Sequence, residues 1–145
     1  IVPLSYGDMT YRDIVLKNGH ELFGENFGPL LDFIPINDYV EIIKSCGFVI
    51  MNHVRQQAVG NIVIMLHLGA KVFLRVENPV YQFFKEEGAI VYAIQDLENN
   101  VELLKEKITL HQIEKNREVV KRHWSREVSD NKTKKMIETV LCDSV

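Results

Sequence analysis

Short apolar runs alternate along the first hundred residues with longer stretches whose apolar positions recur at helical spacing. Ile1 to Leu4 is apolar and is closed by Ser5-Tyr6-Gly7-Asp8, which predicts a strand and a turn. Met9, Ile14 and Leu16 stand among polar neighbours and predict a helix over 9–18, with Asn18-Gly19 as its stop. Leu30-Leu31-Asp32-Phe33-Ile34 reads as a second strand ended by Pro35. Asn37 or Asp38 suits the cap of a helix built on Tyr39, Val40, Ile42 and Ile43, which Ser45-Cys46-Gly47 ends. Phe48 to Met51 is apolar throughout, the pattern of a strand covered on both faces.

The alternation continues through a helix from Ala58 to Leu68, stopped by Gly69, and a strand from Lys71 to Arg75. Asn78-Pro79 opens the next helix, where the missing proline N–H costs nothing, and it runs to Glu87-Gly88. Ala89 to Ile94 is the last strand. Strands alternating with helices predict βαβ units. The expected fold is therefore α/β, a Rossmann-like doubly wound parallel sheet over 1–97 with a helical tail over 98–145. In the tail Val101, Leu104 and Ile108 keep helical spacing, and a charged helix is expected to continue through Val119, Val120 and Trp124. A second helical piece, 132–141, follows Ser129-Asp130-Asn131.

Composition narrows the classes. With 145 residues, 46% hydrophobic and 26% charged, the chain is an ordinary globular domain rather than a disordered or fibrous one. Cys46 and Cys142 lie too far apart, with no second pair, for a disulfide framework or a structural zinc site, so reduced, buried thiols are expected. A net charge of -3 argues against nucleic acid as a partner. The charge is uneven: 7 basic against 12 acidic residues over 1–100, then 10 against 8 over 101–145. That basic excess suits either a solvated helix or peripheral contact with an anionic membrane. The longest apolar stretch, Ile62 to Leu68, is far short of a membrane span and contains His67. The opening Ile1, inside an apolar run and with no signal-peptide pattern, suggests a piece of a longer protein.

In parallel sheets, ligands gather outside the C-terminal strand ends. Two polar loops fall there. Ser5-Tyr6-Gly7-Asp8 offers a hydroxyl and a glycine for close backbone approach, and equally suits a plain turn. Asn52-His53-Val54-Arg55-Gln56-Gln57 sets five donor side chains ahead of a helix N-terminus, where free N–H groups favour an anion such as a diphosphate. Arg55 can grip two oxygens of it at once. Gly60-Asn61 lies in the first turn of the following helix; a glycine there answers either to an approaching ligand or to tight packing on a strand. Glu77-Asn78 offers polar groups for a sugar, or a helix cap. His67 reads as structural, Tyr81, Phe83 and Phe84 as core packing, and no ligand set for a metal surrounds His53. The chain contains no GxGxxG, GxxxxGK[ST] or GxSxG pattern, which removes most of the support for dehydrogenase, P-loop and α/β-hydrolase readings.

Taken together, Pro3-Leu4-Ser5-Tyr6-Gly7, the stretch from Val49 to Asn61, Gly69-Ala70-Lys71-Val72-Phe73-Leu74 and Asn78-Pro79-Val80-Tyr81 resemble the TDP-N-acetylfucosamine:lipid II N-acetylfucosaminyltransferase family, a GT-B type glycosyltransferase family. The resemblance spans about residues 1–95 and implies the C-terminal, donor-binding half of such an enzyme. It implies a TDP-sugar donor, a lipid-linked saccharide acceptor held through an N-terminal domain, no metal or cofactor, and no turnover by this chain alone. The setting it implies is cell-surface polysaccharide synthesis, such as that of enterobacterial common antigen, in the cytoplasm at the inner face of the bacterial inner membrane. Self-association through Val119, Val120 and Trp124 is a further expectation. Carried over residue by residue, Ser5, Tyr6 and Gly7 would face the phosphates, and Phe33, Ile34 and Pro35 would border the base. Asn52 and His53 would belong to the donor loop; Arg55, Gln56, Gln57, Gly60 and Asn61 would hold the diphosphate or ribose, and Asn78 would sit near the sugar. The ribose-binding glutamate of GT-B enzymes is replaced by Ile64-Met65-Leu66, leaving that contact to Gln57 or Asn61. A UDP-sugar epimerase, with His53 as the loop's acid or base, is a second reading. A receiver or flavodoxin-like module is a third, opposed by the lack of an acidic cluster at the strand ends.

Overall fold

Parallel strand pairing organises each of two units, residues 1–42 and residues 43 onward. The structure, a computed structural model, describes residues 1–142. In the first unit β1 (Val2–Pro3) pairs with β2 (Pro29–Leu30), and the Leu4 N–H donates to the Leu30 carbonyl at 2.8 Å just past the pair. α1 (Met9–Phe23) begins on Asp8, whose carboxylate accepts from the Tyr11 N–H at 2.7 Å. That cap satisfies one of the donors a first turn leaves open.

α1 runs past its expected stop at Asn18-Gly19 and ends at Gly24, whose φ of 53° lets the chain turn away. Gly19 is buried inside the helix because the Phe27 ring occupies the space a Cβ would need. The second strand is also shorter than expected. With only two residues of β1 to pair with, Leu31 to Pro35 has no ladder to join, and Phe33 is 90% exposed.

α2 (Ile36–Lys44) starts earlier than expected: the Tyr39 N–H already donates to the Pro35 carbonyl at 3.0 Å. In the second unit β3 (Phe48–Met51), β4 (Lys71–Leu74) and β5 (Tyr92–Ala93) form a parallel sheet in that order. α3 (Val59–Leu68) and α4 (Pro79–Glu86) are the crossovers. The protein is thus mixed α/β with parallel strands and a helical C-terminal part. Its strands form two sheets, and the three-stranded one lacks the reversal of strand order that defines double winding. β5 is cut short at both ends, since Ile90 pairs with a side chain and Ile94 opens α5 (Ile94–Asn99).

All four residues of β4 are buried. Phe73 packs against Ile94 and Leu97 of α5 and against Leu103 of the 3-10 turn Val101–Leu104. Lys71 shares that face by strand alternation. Its ammonium donates to the carbonyls of Leu103 at 2.7 Å and Glu106 at 3.1 Å and lies 4.6 Å from the Tyr92 ring centre. The buried charge is therefore compensated. Phe48 and Ile50, the register partners of Lys71 and Phe73, remain 36% and 52% exposed. β3, expected to be covered on both faces, is open on this one, because α5 and the 3-10 turn pack over β4 and β5. On the opposite side α3 packs against β4 and against α6 (Leu110–Trp124), burying Ile62, Met65, Leu66, Val119 and Val120.

The tail is not one helix from Leu97 onward. Thr109 and Gln112 form a reciprocal capping box that starts α6, so Ile108 precedes it. α7 (Arg126–Cys142) follows directly after Ser125, and the Ser129–Asn131 break expected from sequence lies inside it. No described side chain of α7 is buried. Cys46 is half-buried rather than buried, and the side chain of Cys142 lies outside the described part. Among the described residues, no helix is long and apolar enough to cross a membrane.

Candidate functional site

The C-terminal ends of β3, β4 and β5 carry the polar side chains of the second unit. Asn52 to Gln57 follows β3 and leads to Ala58, whose φ of 54° is left-handed, a conformation rare outside glycine. Ala58 offers no side-chain cap, so the first-turn N–H groups of α3 lack that partner, although its carbonyl accepts from the Ile62 N–H at 3.1 Å. A Cβ at Gly60 would meet nothing within 4 Å. This overturns tight packing on a strand as the reason for that glycine and leaves open space over the helix start. Arg55, Gln56 and Gln57 are exposed beside it, Asn61 is half-buried, and the Arg55 guanidinium makes no ion pair among the described residues.

Asn78 is fully buried, which corrects its expected place against a sugar. Its Oδ1 accepts from the Val80 N–H at 2.8 Å and caps α4, while its Nδ2 donates to the carbonyls of His53 at 3.0 Å and Arg55 at 3.3 Å. The side chain ties the 52–57 loop to the start of α4. His53 Nδ1 lies 3.0 Å from the Arg55 carbonyl, and His53 Nε2 is buried without a hydrogen-bond partner.

Asn52 is spent on a second arginine. Arg75, just after β4, donates from Nη1 to Asn52 Oδ1 at 3.0 Å and pairs with Glu77 at 3.4 Å and Glu98 at 3.7 Å. Gln95 donates to Glu77 Oε2 at 2.8 Å. The Glu77 backbone N–H, then Gln95 and Arg75, hold its carboxyl below the ordinary glutamate range. Arg75, Gln95 and Glu98 were not singled out from the sequence. They occupy the ends of β4 and β5, so examining every strand end, rather than only the loops richest in donors, would have found them. At the position of the missing ribose glutamate, Met65 and Leu66 are in the core.

The first unit brings its own two loops together. Ser5, Tyr6 and Gly7 leave β1, and Phe33, Ile34 and Pro35 follow β2, so both sets leave the same end of a parallel pair. Gly7 has a φ of 114°, the close-turn conformation glycine permits, and Tyr6 and Phe33 are exposed. In the second unit a cleft of about 250 Å³ opens between α3, α4 and α6, lined by Gln56, Val59, Pro79, Phe83, Phe84 and Trp124 among others. Phe84 is buried as core packing predicts, while Phe83 and Trp124, 5.7 Å apart edge to face, form a wall of the cleft.

Residues 1–125 match the family model described as 4-alpha-L-fucosyltransferase, glycosyl transferase group 56. The match takes in every residue of both loop sets and ends one residue past α6. No solved structure matches the chain.

Proposed function

Because the chain belongs to the 4-alpha-L-fucosyltransferase family, glycosyl transferase group 56, and is thereby a glycosyltransferase, we propose that its second unit binds the diphosphate of a nucleotide-sugar donor at the 52–61 loop. The donor is TDP-N-acetylfucosamine or a related deoxy-amino sugar nucleotide, and the acceptor is a lipid-linked saccharide at the inner face of a bacterial inner membrane. One observation carries the diphosphate assignment: the unpaired Arg55 stands beside a helix start with no side-chain cap and open space at Gly60.

Glycosyl transfer leaves negative charge on the departing diphosphate as the bond to the sugar breaks. A fixed guanidinium and oriented first-turn N–H groups stabilise that charge where it develops. Arg75 is already neutralised by Glu77 and Glu98, so Arg55 is the arginine of these strand ends with a free charge to offer. Glu77 and Gln95 present hydrogen-bonding groups suited to sugar hydroxyls. The resemblance of residues 49–61 to the N-acetylfucosaminyltransferases supports the choice of sugar.

Calorimetric titration with TDP, UDP and NAD, with Arg55→Ala alongside, tests this reading. TDP is expected to bind, and to bind about 10- to 100-fold more weakly to the variant, the scale of a charge-assisted hydrogen bond. Equal TDP affinity in the two proteins, or no nucleotide binding, overturns it.

A further inference from the structure

We propose that Asn78 is a positioning residue of this loop, fixing His53 as the Nδ1–H tautomer so that Nε2 is an unprotonated acceptor held inside the site. The inference rests on the donor-site reading for its functional consequence but not for its geometry. Asn78 Oδ1 is committed to the Val80 N–H at 2.8 Å, which orients the amide and leaves Nδ2 facing the loop. The two hydrogens on Nδ2 meet two carbonyls, His53 O at 3.0 Å and Arg55 O at 3.3 Å.

His53 Nδ1 is 3.0 Å from both Asn78 Nδ2 and Arg55 O. With a proton on Nδ1, the ring donates to the Arg55 carbonyl and every hydrogen of the cluster has an acceptor. With the proton on Nε2 instead, the Nδ1 lone pair faces a carbonyl oxygen at 3.0 Å and a buried N–H is left with no acceptor. Orphaned buried donors are the rarer and costlier case. The clamp therefore selects the first tautomer. It also holds the peptide carbonyls of His53 and Arg55, so the Arg55 side chain projects from a backbone anchored to α4.

Nitrogen NMR of the His53 ring in the whole protein, assigned with His53→Gln, reads the tautomer directly. Neutral His53 is expected with a protonated Nδ1 and a bare Nε2. Asn78→Ser retains a good cap for α4 but removes the reach to the loop; it is expected to give mixed tautomers and about tenfold weaker TDP binding. A wild-type ring protonated at Nε2 overturns the proposal, as does an Asn78→Ser protein whose His53 signals and TDP affinity are unchanged. The wild-type spectrum decides even where the variant fails to fold. If TDP does not bind the wild type, the donor reading falls, while the tautomer is still read in the free protein.

Discussion

Asn116 and Ile90 exchange two hydrogen bonds as a pair of strand residues would: the Ile90 N–H donates to Asn116 Oδ1 at 2.6 Å, and Asn116 Nδ2 donates to the Ile90 carbonyl at 3.1 Å. The asparagine is fully buried in α6 and completes the backbone pairing that β5 leaves undone. Asn116→Leu keeps the volume but strands both backbone groups, at about 1–3 kcal/mol each. Urea unfolding is expected to show a loss of about 2–4 kcal/mol with an unchanged slope.

Gly19→Ala tests the first unit by itself. The new methyl would collide with the Phe27 ring, which also stacks edge to face on His20 at 5.1 Å. Overpacking of this kind costs about 1–3 kcal/mol, against a helix-propensity gain of up to about 1 kcal/mol. A net loss of stability with displaced Phe27 ring signals is expected in proton NMR. A stabilised variant would mean that Gly19 is only a weak helix residue.

These two residues show what the sequence conceals. Asn18-Gly19 carries the composition of a helix stop, and only the position of Phe27 reveals that the glycine makes room for a ring. Asn116 sits in a charged stretch with nothing local to mark its burial. The segment from β3 through α4 was legible because each of its elements is punctuated locally, by Gly69 with its φ of 91° and by the Asn78-Pro79 helix start. In the candidate site the 52–57 loop was legible for the same reason: it follows an apolar run and precedes a helix. Asn78 was not, since a helix cap and a sugar ligand call for the same amide. The Arg75 cluster joins residues from three strand ends, and no window along the chain contains it.

Acid should release α6 from α4. Glu87 Oε2 lies 2.7 Å from His123 Nε2 and 3.4 Å from Arg122 Nη2, and the hydrogen bond from His123 is the main cause holding the Glu87 carboxyl below its ordinary value. A folded-state value depressed in this way contributes stability above the unfolded-state value, and that contribution is lost as pH falls through the depressed one. Thermal unfolding followed from about pH 6 to about pH 3 is expected to show a smaller acid-induced drop in Glu87→Gln than in wild type. Parallel curves for the two proteins would remove this pair from the acid response.

Gly60→Ala separates stability from binding. Nothing lies within 4 Å of the added methyl, so the free protein gains helix propensity worth up to about 1 kcal/mol. In a helix each Cα–Cβ bond tilts toward the N-terminus, and the methyl therefore projects toward the space over the uncapped first turn of α3. If a diphosphate occupies that space, the variant is expected to melt at or above the wild-type temperature yet bind TDP roughly tenfold more weakly, the scale of a steric misfit. A variant that is stabilised and binds TDP as wild type does would show that the glycine is not there for a ligand. Because the substitution is stabilising in the free protein, weaker binding could not be ascribed to a damaged fold, an ambiguity that Arg55→Ala alone does not remove.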